Sequence, residues 1–88
     1  MTLSIRVTGK VQGVFYRQST REKAQQLGLT GEVMNLPDGS VQIRATGTKP
    51  QLEELLNWCK EGPPRAKVLD VVASELPVEH FGNFSIKR

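Results

Sequence analysis

The sequence predicts an α+β sandwich of the ferredoxin-like plan, βαββαβ, with a short extra C-terminal strand. Three observations lead there. Residues 3–8 and 41–46 alternate apolar and polar side chains without a break, the period of a half-buried strand. Two other stretches place apolar residues at helical spacing, one after each of those strands. Between them Pro37-Asp38-Gly39 is a turn signal flanked by strand patterns, which makes a hairpin. That order gives one antiparallel sheet with both helices on one face.

Each element has its own grounds. Leu3, Ile5 and Val7 share one face of the first strand, Ser4, Arg6 and Thr8 the other, and Gly9 is expected to end it. Residues 18–27 hold no Gly or Pro and put Thr20, Ala24 and Leu27 on one helical face. Gly28 follows as a left-handed stop. A second strand runs from Leu29 to about Met34. The third has Val41, Ile43 and Ala45 inward, with Gly47 ending it. Thr48 and Gln51 have the spacing of a capping box, with Pro50 in the first turn. Leu52, Leu55, Leu56 and Cys59 then line one face of the second helix, which Gly62-Pro63-Pro64 stops. Residues 68–76 form a valine-rich strand ended by Pro77, and residues 83–87 alternate as a last short strand.

Eighty-eight residues make a single domain, 1–88, with 38% hydrophobic and 24% charged residues and a net charge of +3. The cations are scattered, so an anionic ligand is favoured and nucleic acid is not demanded. One cysteine, Cys59, rules out a disulfide framework within the chain. No stretch approaches the roughly 18 apolar residues of a membrane span. The expectation is a cytoplasmic, monomeric protein with no membrane partner.

Residues 9–17 carry the chemistry. They read Gly-Lys-Val-Gln-Gly-Val-Phe-Tyr-Arg, between a strand and a helix. Converging N–H groups, a helix N-terminus and a guanidinium make an anion cradle. A cation at Arg17 opposes the helix dipole, which is unfavourable without an anion. Arg17 is therefore either a phosphate clamp or a surface arginine pairing with a carboxylate such as Glu22. Asn35 is either a turn residue or a neutral amide that orients a water. The topology brings the two together. The carboxyl ends of the first two strands lie at one sheet edge, about 10 Å apart with the third strand between.

Other chemistries are poorly served. The loop lacks the spacing and trailing Lys-Ser/Thr of a Walker motif. His80 is a lone loop histidine, and Cys59 falls on an apolar helix face. No His, Cys and carboxylate set has metal-ligand spacing, and no Ser-His-Asp set is evident. No cofactor or metal is expected. A cradle and an amide without a general acid suit a leaving group that needs no proton. A carboxylate leaving a mixed carboxylic–phosphoric anhydride is one.

Several segments then resemble the acylphosphatase family. They are Val-Gln-Gly-Val-Phe-Tyr-Arg at 11–17, Ala24, Leu-Gly-Leu-Thr-Gly at 27–31, Val-Met-Asn at 33–35, Asp-Gly-Ser-Val at 38–41 and Phe-Ser-Ile at 84–86. The resemblance implies the ferredoxin-like fold and metal-free hydrolysis of acyl phosphates to a carboxylate and phosphate. It assigns catalysis to Arg17 and Asn35, and phosphate binding to N–H groups of Gln12, Gly13, Val14, Phe15 and Tyr16. Glu32 stands where many members have an aromatic, and Tyr16 where many have phenylalanine. Two other readings are an RNA-binding module and a domain for carbamoyl-phosphate processing. The first wants aromatics on the outer faces of the first and third strands, which carry none.

Overall fold

A computed structural model describes residues 1–87. The elements follow in the expected order: β1 (Thr2–Lys10), α1 (Tyr16–Gln26), β2 (Thr30–Asn35), β3 (Val41–Thr46), α2 (Lys49–Cys59), β4 (Lys67–Leu76) and β5 (Phe84–Lys87). They form one five-stranded sheet in the order β4-β1-β3-β2-β5. The two crossovers thus place β3 between β1 and β2, and β1 between β3 and β4. The first four strands pair antiparallel, whereas β5 joins β2 in parallel, so the sheet is mixed.

The alternation in β1 and β3 buries one face. Ile5, Val7, Val41, Ile43 and Ala45 are buried there together with Val33 of β2. Leu52, Leu55 and Cys59 of α2 and Ala24 of α1 cover that face. Truncating Leu52 or Leu55 to alanine removes about 2–5 kcal/mol by transfer and cavity terms.

Four ends are set by local chemistry. Gly28 closes α1 in the left-handed region, φ 77°. The Leu29 N–H bonds Ala24 O at 2.9 Å and the Gly28 N–H bonds Gln25 O at 3.1 Å, the paired bonds of a Schellman motif. The capping box forms as the spacing predicts: Thr48 Oγ1 accepts from Gln51 N, and Gln51 Oε1 accepts from Thr48 N. In the hairpin the Leu36 N–H bonds Ser40 O and the Gly39 N–H bonds Leu36 O.

Two boundaries differ from expectation. Gly9 does not end β1. The strand continues to Lys10 across a register shift between Thr8 and Gly9. Gly9 has φ 123°, and a Cβ there would overlap the carbonyl oxygen of Lys67. It is a β-bulge glycine that lets β4 approach, not part of an anion cradle. Helix α1 begins at Tyr16 rather than Gln18, because the Tyr16 ring extends the buried face of Thr20 and Ala24 by one turn. Neither described helix is long and apolar enough to cross a membrane.

Candidate active site

Residues 11–15 connect β1 to α1. Val11 and Val14 are buried and fix the loop to the core, while Gly13 and Phe15 are exposed. The loop is also tied sideways. Gln12 Nε2 donates to Leu36 O and to Ser40 O, each at 2.9 Å. The Gln12 side chain therefore locks the loop to the β2–β3 hairpin. Whatever it offers a ligand comes from its main chain.

The N-terminus of α1 is left open. Phe15 is the cap residue, with φ 63° and ψ 24°, and no side chain caps the helix. No acidic residue stands in the first turn. The first N–H groups of a helix have no partner within it. Among the described residues the first helical main-chain bond here is Ser19 N to Phe15 O. The donors and the positive end of the dipole thus face open space.

Tyr16 has a different place from its neighbours. Its side chain is 1% exposed, its hydroxyl donates to Cys59 O at 2.8 Å, and its ring lies 5.5 Å from that of Trp58. Burial, first of all, raises its phenol far above the ordinary value. The same burial pushes the Cys59 thiol up to about 12. Tyr16 anchors the start of α1 to the end of α2, and only its N–H is left for the loop.

The open N-terminus borders a cavity of about 460 Å³, lined by Gly13, Phe15, Arg17, Gln18, Arg21 and Asn35 together with Val11, Tyr16 and Ile86. A second cavity of about 320 Å³ is lined by Arg17, Met34, Asn35 and Lys87. Arg17 and Asn35 line both, so the juxtaposition expected from the topology is present. Among the described residues neither lining contains a carboxylate, an imidazole or a thiol.

Charge pairing separates two kinds of arginine. Arg6 pairs with Asp38, and Arg44 with Glu79 at 3.5 Å, both on the face of the sheet away from the helices. Asp38 also accepts from the Ser40 hydroxyl and N–H, which chiefly hold its carboxyl below the usual range. Arg17 and Arg21 have no carboxylate partner among the described residues, Glu22 included. They stand one turn apart, where like charges repel. Arg21 lies off the apolar face that Thr20, Ala24 and Leu27 define, so periodicity alone does not mark it as a site residue. Its spacing of four from Arg17 is the signal that places it on the same side.

Asn35 is the last residue of β2, paired with Val41. Its Oδ1 is buried without a hydrogen-bond partner among the described residues. A turn asparagine would spend that oxygen on nearby backbone N–H groups. Here Asp38 fills that turn role, and Asn35 lines the cavity with its Oδ1 unpartnered among the described residues.

Known proteins match this chain over nearly its whole length. The family profile described as acylphosphatase matches residues 3–86. An acylphosphatase of Marinobacter nauticus is 58% identical over 79 residues, 89% of this chain and 86% of that one. The structure of an acylphosphatase from Coxiella burnetii superposes with a TM-score of 0.95 at 43% identity, over 98% of this chain and 90% of that chain. Full-length HypF, in a phosphate- and nucleotide-bound crystal structure, matches with a TM-score of 0.87 at 26% identity. There 99% of this chain corresponds to 12% of that one. On the match over residues 3–86 and these identities, the chain belongs to the acylphosphatase family.

Proposed function

We propose that this chain hydrolyses acyl phosphates to a carboxylate and inorganic phosphate at the cavity between the β1–α1 loop and the end of β2. The observation that carries the reading is that one cavity is lined both by Asn35, whose buried Oδ1 has no partner among the described residues, and by Arg17, which has no carboxylate partner among them. The family supports it, as does the name shared by the relatives.

The residues act by position and charge. N–H groups of Gln12, Gly13, Val14, Phe15 and Tyr16 and the Arg17 guanidinium hold the non-bridging phosphoryl oxygens. Asn35 Oδ1 accepts a hydrogen bond from a water and points its oxygen at phosphorus, in line with the carboxylate. The new P–O bond forms as the P–O bond to the acyl oxygen breaks. Its electron pair leaves on the carboxylate, and the proton shed by the water ends on a phosphate oxygen. A carboxylate leaves without a proton, so the absence of an acid in the lining is consistent. The cations supply the charge stabilisation that a metal supplies in other phosphoryl transfers. In this reading the protein acts as a monomer in the cytoplasm.

Benzoyl phosphate hydrolysis tests this. Asn35→Ala is expected to lower kcat by about 10²–10³ with little change in KM. Arg17→Gln is expected to lower kcat as far and also to weaken inhibition by inorganic phosphate. Wild-type turnover no faster than the no-enzyme rate would overturn the proposal.

A further inference from the structure

We infer that the Phe15 side chain is the specificity element of this site, and that it selects acyl phosphates whose acyl group is apolar and preferably aromatic. The inference rests on the acyl phosphate reading above and adds what lies beyond the phosphoryl group.

Two anomalies meet in this one residue. Phe15 is the only non-glycine residue with positive φ among the described residues. That conformation disfavours a side chain by roughly 1–2 kcal/mol and is ordinarily left to Gly or Asn. Its ring is also 65% exposed, so burial in the core does not compensate. Fold stability thus gives no reason for a large apolar side chain here. Strained residues that persist without packing belong to functional sites.

The placement says which function. Phe15 directly precedes the first turn of α1, whose N–H groups and Arg17 face the cavity. The left-handed turn puts Phe15 in the lining of the cavity at the open end of α1. Val11 and Ile86 contribute the other apolar lining. An acyl phosphate held by its phosphoryl group must project its acyl part out of the cradle. An aromatic acyl group would there meet a ring and gain stacking and apolar burial. A small acyl group such as acetyl would not reach it.

The lining also holds the means to contradict this. Arg21 would favour an acyl group bearing a second anion. The substrate panel therefore contains benzoyl phosphate, acetyl phosphate and succinyl phosphate, assayed with wild type, Phe15→Ala and Phe15→Tyr. Benzoate and acetate are leaving groups of similar basicity, so differences between them report binding.

Wild type is expected to show a higher kcat/KM for benzoyl than for acetyl phosphate. Phe15→Ala should lower the ratio of kcat/KM on benzoyl phosphate to that on acetyl phosphate about tenfold, mostly through KM for benzoyl phosphate, whatever the change common to both substrates. Phe15→Tyr, which keeps the ring, should retain the benzoyl preference.

Equal proportional losses on benzoyl and acetyl phosphate in Phe15→Ala, leaving their ratio unchanged, would assign the ring to holding the loop and overturn the inference. So would wild-type preference for succinyl phosphate. If wild type hydrolyses none of the three, the acyl phosphate reading itself fails, an outcome separate from a panel hydrolysed without discrimination.

Discussion

Asn35 shows how a residue can be poorly used by the fold and still be fixed by it. Its backbone is held in the β2–β3 ladder, while its buried Oδ1 has no partner among the described residues. Leaving such an oxygen unsatisfied costs about 1–3 kcal/mol. Asn35→Ala removes that oxygen without opening a large core cavity. Its unfolding free energy by urea titration is therefore expected to equal or exceed that of wild type, by up to about 2 kcal/mol. A loss of 1 kcal/mol or more would mean that the side chain holds the hairpin instead. Tyr16 is the opposite case. Sequence pattern placed it in the phosphate loop, next to Arg17. The structure spends its ring and hydroxyl on Trp58 and Cys59, and leaves the loop one N–H. That split between main chain and side chain is invisible in a string of letters. A partial signal existed, for Tyr16 stands four residues before Thr20 and extends its helical face.

At the level of elements, β1 does two jobs with one irregularity. Up to Thr8 its alternation buries Ile5 and Val7 and packs the partly buried Leu3 against the core. At Gly9 the bulge changes its register against β4 before the chain enters the loop. Gly9→Ala adds a methyl group against the Lys67 carbonyl and imposes a backbone that alanine avoids. The expected loss is about 2–4 kcal/mol in thermal or urea unfolding, since backbone must move on both strands. Gly13 makes the contrast. Its φ is 73°, but a Cβ there meets nothing within 4 Å, so Gly13→Ala should lose only about 1–2 kcal/mol. Both glycines read alike in the sequence. Only the neighbouring strand, 58 residues away at Lys67, tells them apart.

For the whole molecule, the candidate site is a product of strand order. Alternation, the turn signal and the capping box reveal the elements, and the handedness of the crossovers places Arg17 and Asn35 at one edge. Those inferences need only local pattern and topology. The Gln12 clamp and the parallel docking of β5 needed packing to be seen, because each depends on contacts between segments far apart in sequence. The junction of the two helices also sets a pH response of the molecule as a whole. Cys59 titrates near 9.0 when unperturbed and near 12 in the fold, and Tyr16 is raised above its ordinary 10.0. Both are neutral when folded. Above pH 9 the unfolded chain therefore binds fewer protons than the native one, and stability falls as pH rises. The loss approaches about 1.4 kcal/mol per pH unit for each group in its window. Urea titrations between pH 8 and 11 should show the decline, and Cys59→Ala should make it shallower from pH 9 upward. A stability independent of pH across that range would contradict the burial of these two groups.

The strand order also governs how the molecule comes into being. Leu3 lies opposite Ala45 on one side and Glu75 on the other, so β1 cannot be paired until distant parts of the chain return to it. Only the β2–β3 hairpin closes locally. Chain segments that must search over such separations fold in milliseconds to seconds rather than microseconds. During that search the phosphate loop and Asn35 are apart, because β3 must first lie between their strands. Catalytic competence requires β3 paired with both β1 and β2, and an anion bound across that edge would stabilise the folded chain.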